Sequence, residues 1–180
     1  MEESQSVFIR SLKNPKTREA AFRKLLSDYK ERLYWHIRKI VLDHDDANDV
    51  IQNTFVKIFL NIDNFKENSK IFTWMYRIAT NEALSFIRSK ALKVGISSEE
   101  WVDAKASGLV ADSYFDGDAA SLKLQKAIAT LPERQRLVFN MKYFDAMKYE
   151  EIAAILGVSM GSLKASYHHA VKKIKKTINV

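Results

Sequence analysis

The chain has 180 residues, 47% of them hydrophobic, with five Gly, two Pro and no Cys; such a composition suits two small helical cores and leaves few backbone breaks for a strand-rich fold. The lack of cysteine excludes a disulfide framework, a thiol nucleophile and a cysteine-based zinc site. Lys and Arg total 29 against 22 Asp and Glu, a formal charge of +7, which points to a polyanionic partner because phosphates are drawn to a basic surface.

The opening Met1-Glu2-Glu3-Ser4-Gln5-Ser6 is acidic and polar, with no apolar signal segment behind it. No stretch approaches the ~20 apolar residues of a membrane span, so a cytoplasmic protein without membrane insertion is expected. Asn14-Pro15 offers an N-cap followed by a proline at the position helices tolerate best. Ala20, Ala21, Leu25, Leu26, Leu33, Ile37, Ile40 and Val41 then recur at helical spacing, predicting two helices that bend near Asp28-Tyr29. A further helix is predicted from Asp45-Asp46, where acids meet the positive helix end, with Val50, Ile51, Phe55, Ile58 and Phe59 apolar. Residues 61–69 read as a loop of turn formers. Ser69 is then expected to cap a helix from Lys70 to about Arg88, in which Phe72, Trp74 and Tyr76 read as core.

Residues 93–118 carry lone apolar side chains and net negative charge. They predict a linker too polar to bury much, and hence a domain boundary. Beyond it, helices are predicted over Ala119–Ala129, from Pro132 to Tyr143, over Tyr149–Leu156, and from Ser159 or Met160 to about Ile178. The expected fold is all-α, with two small helical domains at 1–92 and 119–180 joined by the polar linker 93–118.

The stretch from Glu150 to Leu163 has the pattern of a helix-turn-helix. Ala153 is small where two helices cross, Gly157 supplies a positive φ, Val158 plugs the turn and Ser159 caps the second helix. Leu163, Tyr167, Val171 and Ile174 form one apolar stripe. The opposite face carries Ser162, Lys164, Ala165, Ser166, His168 and His169, then Lys172, Lys173, Lys175 and Lys176. Short side chains near the N-terminal half suit base edges in a major groove, and lysines further along suit phosphates. A helical hairpin with a solvated basic face is the plainer reading; the coincidence of glycine turn, cap and basic face favours DNA. Adjacent His168 and His169 point about 100° apart and cannot share an ion, and His36 and His44 have no companion ligands, so neither a metal nor any cofactor is expected.

Two segments carry a family resemblance. Asp45 to Phe55, followed by Phe72 to Asn81, resembles region 2 of the sigma-70 family; Leu131-Pro132 with Arg134 and Gln135, then Tyr149 to Ala170, resembles region 4. Their order and separation resemble the extracytoplasmic-function (ECF) sigma factors, which keep only these two regions. The resemblance implies that Asp49, Gln52, Asn53, Val56 and Lys57 dock on the clamp coiled coil of core RNA polymerase. It also implies that the loop of Phe65, Lys66, Glu67, Asn68 and Ser69 captures a flipped −10 base with help from Asn81, and that the core face of region 4 rests on the polymerase flap. Lys66, Lys70, Arg77 and Arg88 are candidate phosphate contacts in that region. The −35 element of promoter DNA would be read by Ser162, Lys164, Ala165, Ser166, His168, His169 and Lys172. Phe65 has two readings, a ring that stacks on an unstacked base or a core residue that anchors the loop. Asn48 and Asn53 stand where the family often has acids, and Ser166 and His169 where it often has Arg. An anti-sigma factor is the further partner that the resemblance implies.

The implied mechanism is recruitment of polymerase followed by strand capture, without nucleotide hydrolysis. The alternative is a free-standing regulator that binds an operator without polymerase, as a symmetric dimer on a palindrome. An enzyme is not expected: the dense carboxylates, Glu150-Glu151 and Asp45-Asp46-Asp49, read as helix N-termini, and no phosphate loop, zinc-type His-Glu motif or nucleophile elbow is present.

Overall fold

A computed structural model of the protein describes residues 2–109 and 118–178, with side chains from Gln5 onward. The part of the expected linker between Asp112 and Gly117 lies outside the described residues. Among the described residues all regular structure is helical. None of these helices is long and apolar enough to cross a membrane.

The first helix, α1 (Glu2–Lys13), was not foreseen from its polar start; it is held by Ile9 and Leu12, both buried in the core. Asn14 does not cap the next helix. Its carbonyl accepts the N–H groups of Thr17 and Arg18, making a tight turn between α1 and α2 (Arg18–Val41). The two helices expected to meet near Asp28-Tyr29 are one: α2 is a single helix of 24 residues whose stripe of Leu25, Leu33, Ile37 and Ile40 is buried along its length. It ends at Leu42 in the left-handed region (φ 63).

Asp43 caps α3 (His44–Asn61) by accepting the Asp46 N–H at 3.0 Å. After a 3-10 turn at Ile62–Asn64 and a short loop comes α4 (Ile71–Val94). It starts one residue later than expected, with no side-chain cap, and runs about six residues further, to Gly95 (φ 74). The continuation past Arg88 is stabilised by Ala91, buried against its neighbours.

The segment expected to bury little forms α5 (Ser98–Gly108). Ser97 accepts the Glu100 N–H and the Glu100 carboxylate accepts the Ser97 N–H, a reciprocal cap. Val102 and Ala106, with Leu109 just beyond the helix, are buried at the spacing of one helical face. Lys105 pairs with Asp43 at 3.0 Å and Asp46 at 2.8 Å, which ties α5 to the start of α3. Three apolar residues are enough here because charged neighbours and the cap supply the rest.

The second half is α6 (Ala119–Ala129), α7 (Glu133–Tyr143), α8 (Tyr149–Leu156) and α9 (Met160–Ile178), as expected. The buried Arg136 donates to the Ala129 and Leu131 carbonyls, closing the turn between α6 and α7. The two halves pack against each other. Leu137, Val138, Met141, Met147, Ile152, Ile155 and Leu163 join the same buried cluster as Ile37, Tyr76 and Ala83 of the first half. A smaller core of Ala127, Ile128, Leu131, Phe139, Ala170 and Ile174 lies within the second half.

Candidate nucleic-acid interface

The helix-turn-helix is α8, a turn, and α9. Gly157 takes φ 68 and returns its N–H to the Ala153 carbonyl at 2.8 Å, closing α8. At the other end of α8 the Glu151 carboxylate accepts the Lys148 N–H at 3.0 Å. Ser159 then caps α9 by accepting the Ser162 N–H at 3.3 Å. Leu163, Ala170 and Ile174 are buried, and Tyr167 stacks on Phe139 with ring centroids 5.8 Å apart. That inward stripe fixes the roll of α9, so Lys164, Ala165, His168, His169 and Lys172 are all exposed on the outer face, with Ser162 and Ser166 half-buried at its edge. Lys173 is turned away and donates to the Thr130 carbonyl at 2.6 Å. It therefore belongs to the fold and not to the row of free cations. Arg134 of α7 donates to the Ser162 hydroxyl at 2.7 Å, which adds a guanidinium beside the first turn of α9. Its place there is set by a contact 28 residues away in sequence, and local pattern does not reveal it.

A second polar feature lies between α3, the loop after it and α4. A cleft of about 300 Å³ is walled by Trp74 and Ile78 and ringed by Asn61, Asn64, Asn81, Lys57 and Glu82. Lys57 and Glu82 pair at 2.5 Å, and Asn61 donates to the Lys57 carbonyl at 2.9 Å. Of the expected −10 residues, only Asn81 lines this cleft. Trp74, Ile78, Asn81 and Glu82 share one face of α4, and the spacing of four and then three or four residues was the signal that could have grouped them.

Phe65 resolves to the core: its ring is 2% exposed and lies against Trp74 at 5.1 Å. It anchors the loop and shows no face to a base in this conformation. Its carbonyl accepts Lys13 Nζ at 2.7 Å, so α1 also holds the loop. Lys66 and Asn68 are exposed at the loop tip and Ser69 is half-buried. Arg77 and Arg88 are exposed but engaged: Arg77 donates to the Ala154 carbonyl of α8, and Arg88 pairs with Glu133 of α7 at 3.2 Å.

On α3, Asp49, Gln52, Asn53, Val56 and Lys57 all lie on one exposed face. Phe59 and Leu60 are exposed beside them, so a strip of apolar surface borders a polar ridge. Phe55, by contrast, is buried.

Residues 25–92 match the family described as Sigma-70 region 2, and residues 121–174 match Sigma-70, region 4. The ECF RNA polymerase sigma factor SigW of Bacillus subtilis is 31% identical over 172 residues, spanning 88% of this chain and 89% of the relative. Two solved structures share the fold. The sigma factor RpoE of Bartonella quintana, in complex with the anti-sigma factor NepR, aligns with a TM-score of 0.68 at 22% identity, covering 88% of this chain and 97% of that one. CnrH in complex with the cytosolic domain of CnrY aligns with a TM-score of 0.69 at 19% identity, covering 97% of both chains. With both regions matched in order, and a relative of that identity aligned over nearly nine-tenths of its length, the chain belongs to the extracytoplasmic-function group of the sigma-70 family and is an RNA polymerase sigma factor.

Proposed function

We propose that this chain reads a two-part promoter with the outer face of α9 and the cleft beside α4, acting as the DNA-recognising subunit of a polymerase holoenzyme and not as an enzyme in its own right. The carrying observation is the pairing, in one chain, of an exposed reading helix and a cleft large enough for one nucleobase. Lys164 and Lys172 supply charge to the −35 duplex, and Ala165, with Ser162, Ser166, His168 and His169, approaches base edges. The −10 base enters between Trp74 and the three Asn side chains, whose amides read its edge while the indole offers an apolar wall. Lys66, Asn68 and Ser69 guide the strand to that opening. The exposed ridge of α3 (Asp49, Gln52, Asn53, Val56 and Lys57) is the face offered to core polymerase, with the contacts on the clamp coiled coil. The polymerase flap takes the second half. Residues 1–92 and 119–180 act as the two units, joined through 93–118, in the cytoplasm. An anti-sigma factor is a further partner, in line with the complex of RpoE with the anti-sigma factor NepR.

Transcription in vitro on promoter fragments from the source genome, with core polymerase and with or without this chain, tests the reading. Specific transcripts should appear only with the chain present. Asn81→Ala and Lys164→Ala should each lower them about tenfold, the loss of one polar or phosphate contact. Tight specific binding to DNA without polymerase, and no stimulated transcript, would overturn it in favour of an operator-binding regulator.

A further inference from the structure

Trp35 of α2 is 47% exposed, whereas Trp74 and Trp101 are half-buried. A single exposed apolar side chain is ordinary on a protein surface. What sets Trp35 apart is the cleft beside it, of about 520 Å³, which promoter recognition does not use. Tyr34 and Trp35 of α2 and His44 and Asn48 of α3 line this cleft, together with Lys30 and Glu31 one turn earlier on α2.

The aromatic walls are fixed before anything binds. The Tyr34 ring meets Trp35 edge-on, with centroids 5.3 Å apart and planes at 75°, and meets His44 at 5.9 Å and 68°. The Tyr34 hydroxyl lies 2.7 Å from His44 Nδ1, and the Asn48 amide nitrogen lies 2.9 Å from His44 Nε2. This chain of bonds ties the middle of α2 to the start of α3. A partner that enters the cleft therefore meets side chains already ordered, and the entropy of ordering falls on the partner alone.

The charge around the cleft selects the partner's chemistry. Glu31 lines it, and Asp45 and Asp49 directly follow His44 and Asn48 in the chain; all three are exposed and make no ion pair among the described residues. Lys30 is the one cation in the lining. In a chain of charge +7 this is a local excess of acid, which repels a phosphate. A carboxylate at the edge of an indole suits a guanidinium, which stacks flat on the ring and turns its N–H groups to the acid. On α3 the wall of the cleft also continues into the polar ridge: Asn48 and Gln52 are one turn apart on the same face.

We propose that this cleft extends the polymerase-docking face from α3 across α2, and that it takes an arginine side chain of core polymerase, stacked on Trp35 and paired with Glu31. The proposal rests on reading the α3 ridge as the face offered to core polymerase. The aliphatic stem of the arginine lies against Tyr34 and covers the exposed indole, while the charged head stays at the edge of the cleft. Aromatic and arginine anchors seated in a pocket carry most of the binding energy of such interfaces, and the polar contacts around them contribute less. Trp35 is thus the anchor of the docking face, and the ridge residues surround it. The acids Asp45 and Asp49 beside the cleft attract the incoming cation over a longer range.

The chain has no cysteine, so a single dye can be placed at the exposed Lys16 by Lys16→Cys. Fluorescence anisotropy of the full chain is then titrated with core polymerase, without DNA, at low and at high salt. Trp35→Ala should weaken binding at least about tenfold. Trp35→Phe keeps an aromatic face and should recover most of that loss. Glu31→Gln, an exposed change that leaves helicity intact, should weaken binding about threefold at low salt and flatten its salt dependence. Parent-like affinity in Trp35→Ala would overturn the cleft as a docking surface. A weakened Trp35→Ala beside a Glu31→Gln that binds and responds to salt like the parent would overturn the arginine. The double variant Gln52→Ala with Val56→Ala reports on the ridge alone: unchanged affinity there sinks the ridge reading, whereas the cleft is judged by Trp35 and Glu31.

Discussion

Gly157 and Ala146 sit on the two sides of α8 and share a left-handed backbone, with φ 68 and 51, but only one of them is suited to it. A Cβ placed on Gly157 meets nothing within 4 Å, so Gly157→Ala should cost only the conformational strain, about 1 kcal/mol by urea denaturation. Ala146 already bears that strain, and it is exposed. Ala146→Gly should therefore leave stability unchanged or raise it by up to about 1 kcal/mol, less the entropy a glycine adds to the unfolded chain. Leu42, at φ 63, shows the opposite balance. Its side chain is buried, and the roughly 1.5–3 kcal/mol of that burial outweighs the relief of strain, so Leu42→Gly should destabilise. Asp43 adds a pH term. Burial pushes its carboxyl up, but the Asp46 N–H and the Lys105 ammonium together hold it below its ordinary value. Its contribution is present above the ordinary carboxylate range and is lost as pH falls through the lowered value.

Among the elements, α5 depends most on such pairs, because it buries few apolar side chains of its own. Lys105→Ala removes both ties to the start of α3. Amide hydrogen exchange over residues 98–108 should then accelerate severalfold while α2 keeps its protection, since local opening tracks local contact density. The same weakness explains why α5 was illegible in sequence. Val102, Ala106 and Leu109 have helical spacing, but acids and serines dilute them, and Lys105 finds its partners some 60 residues upstream. The helix-turn-helix was legible because its signals are local: a glycine stop, a serine cap and an apolar stripe within 25 residues. Phe65 lay between these cases. Its type fits a base or a core equally well, and only Trp74 and the Lys13 bond to its carbonyl decide for the core. The α3 ridge came from the family resemblance, and its residues lie together on one exposed face, whereas the cleft beside Asn81 needed the loop and two helices to be assembled first.

At the scale of the whole molecule, one buried cluster runs from α1 into α9. With a core in common, the halves should unfold together, as a single urea transition followed by fluorescence and circular dichroism alike. Met147→Ala removes a side chain buried at the joint. It should cost about 2–3 kcal/mol and separate the two probes, as each half melts by itself. A second transition that is absent from both proteins would count against the joint as a coupling element. The common core also constrains how such chains can be recombined. A hybrid that keeps His36 and Lys39 but takes α8, α9 and the loop before α8 from a relative lacking an acid at position 145 leaves both without the carboxylate they contact. Exchanging promoter preference between relatives therefore calls for grafting the outer residues of α9 alone, leaving Asp145, Met147 and the inward faces of α7 and α8 in place. Descent by duplication would meet the same limit, with the reading surface free to drift and the joint changing only in matched pairs.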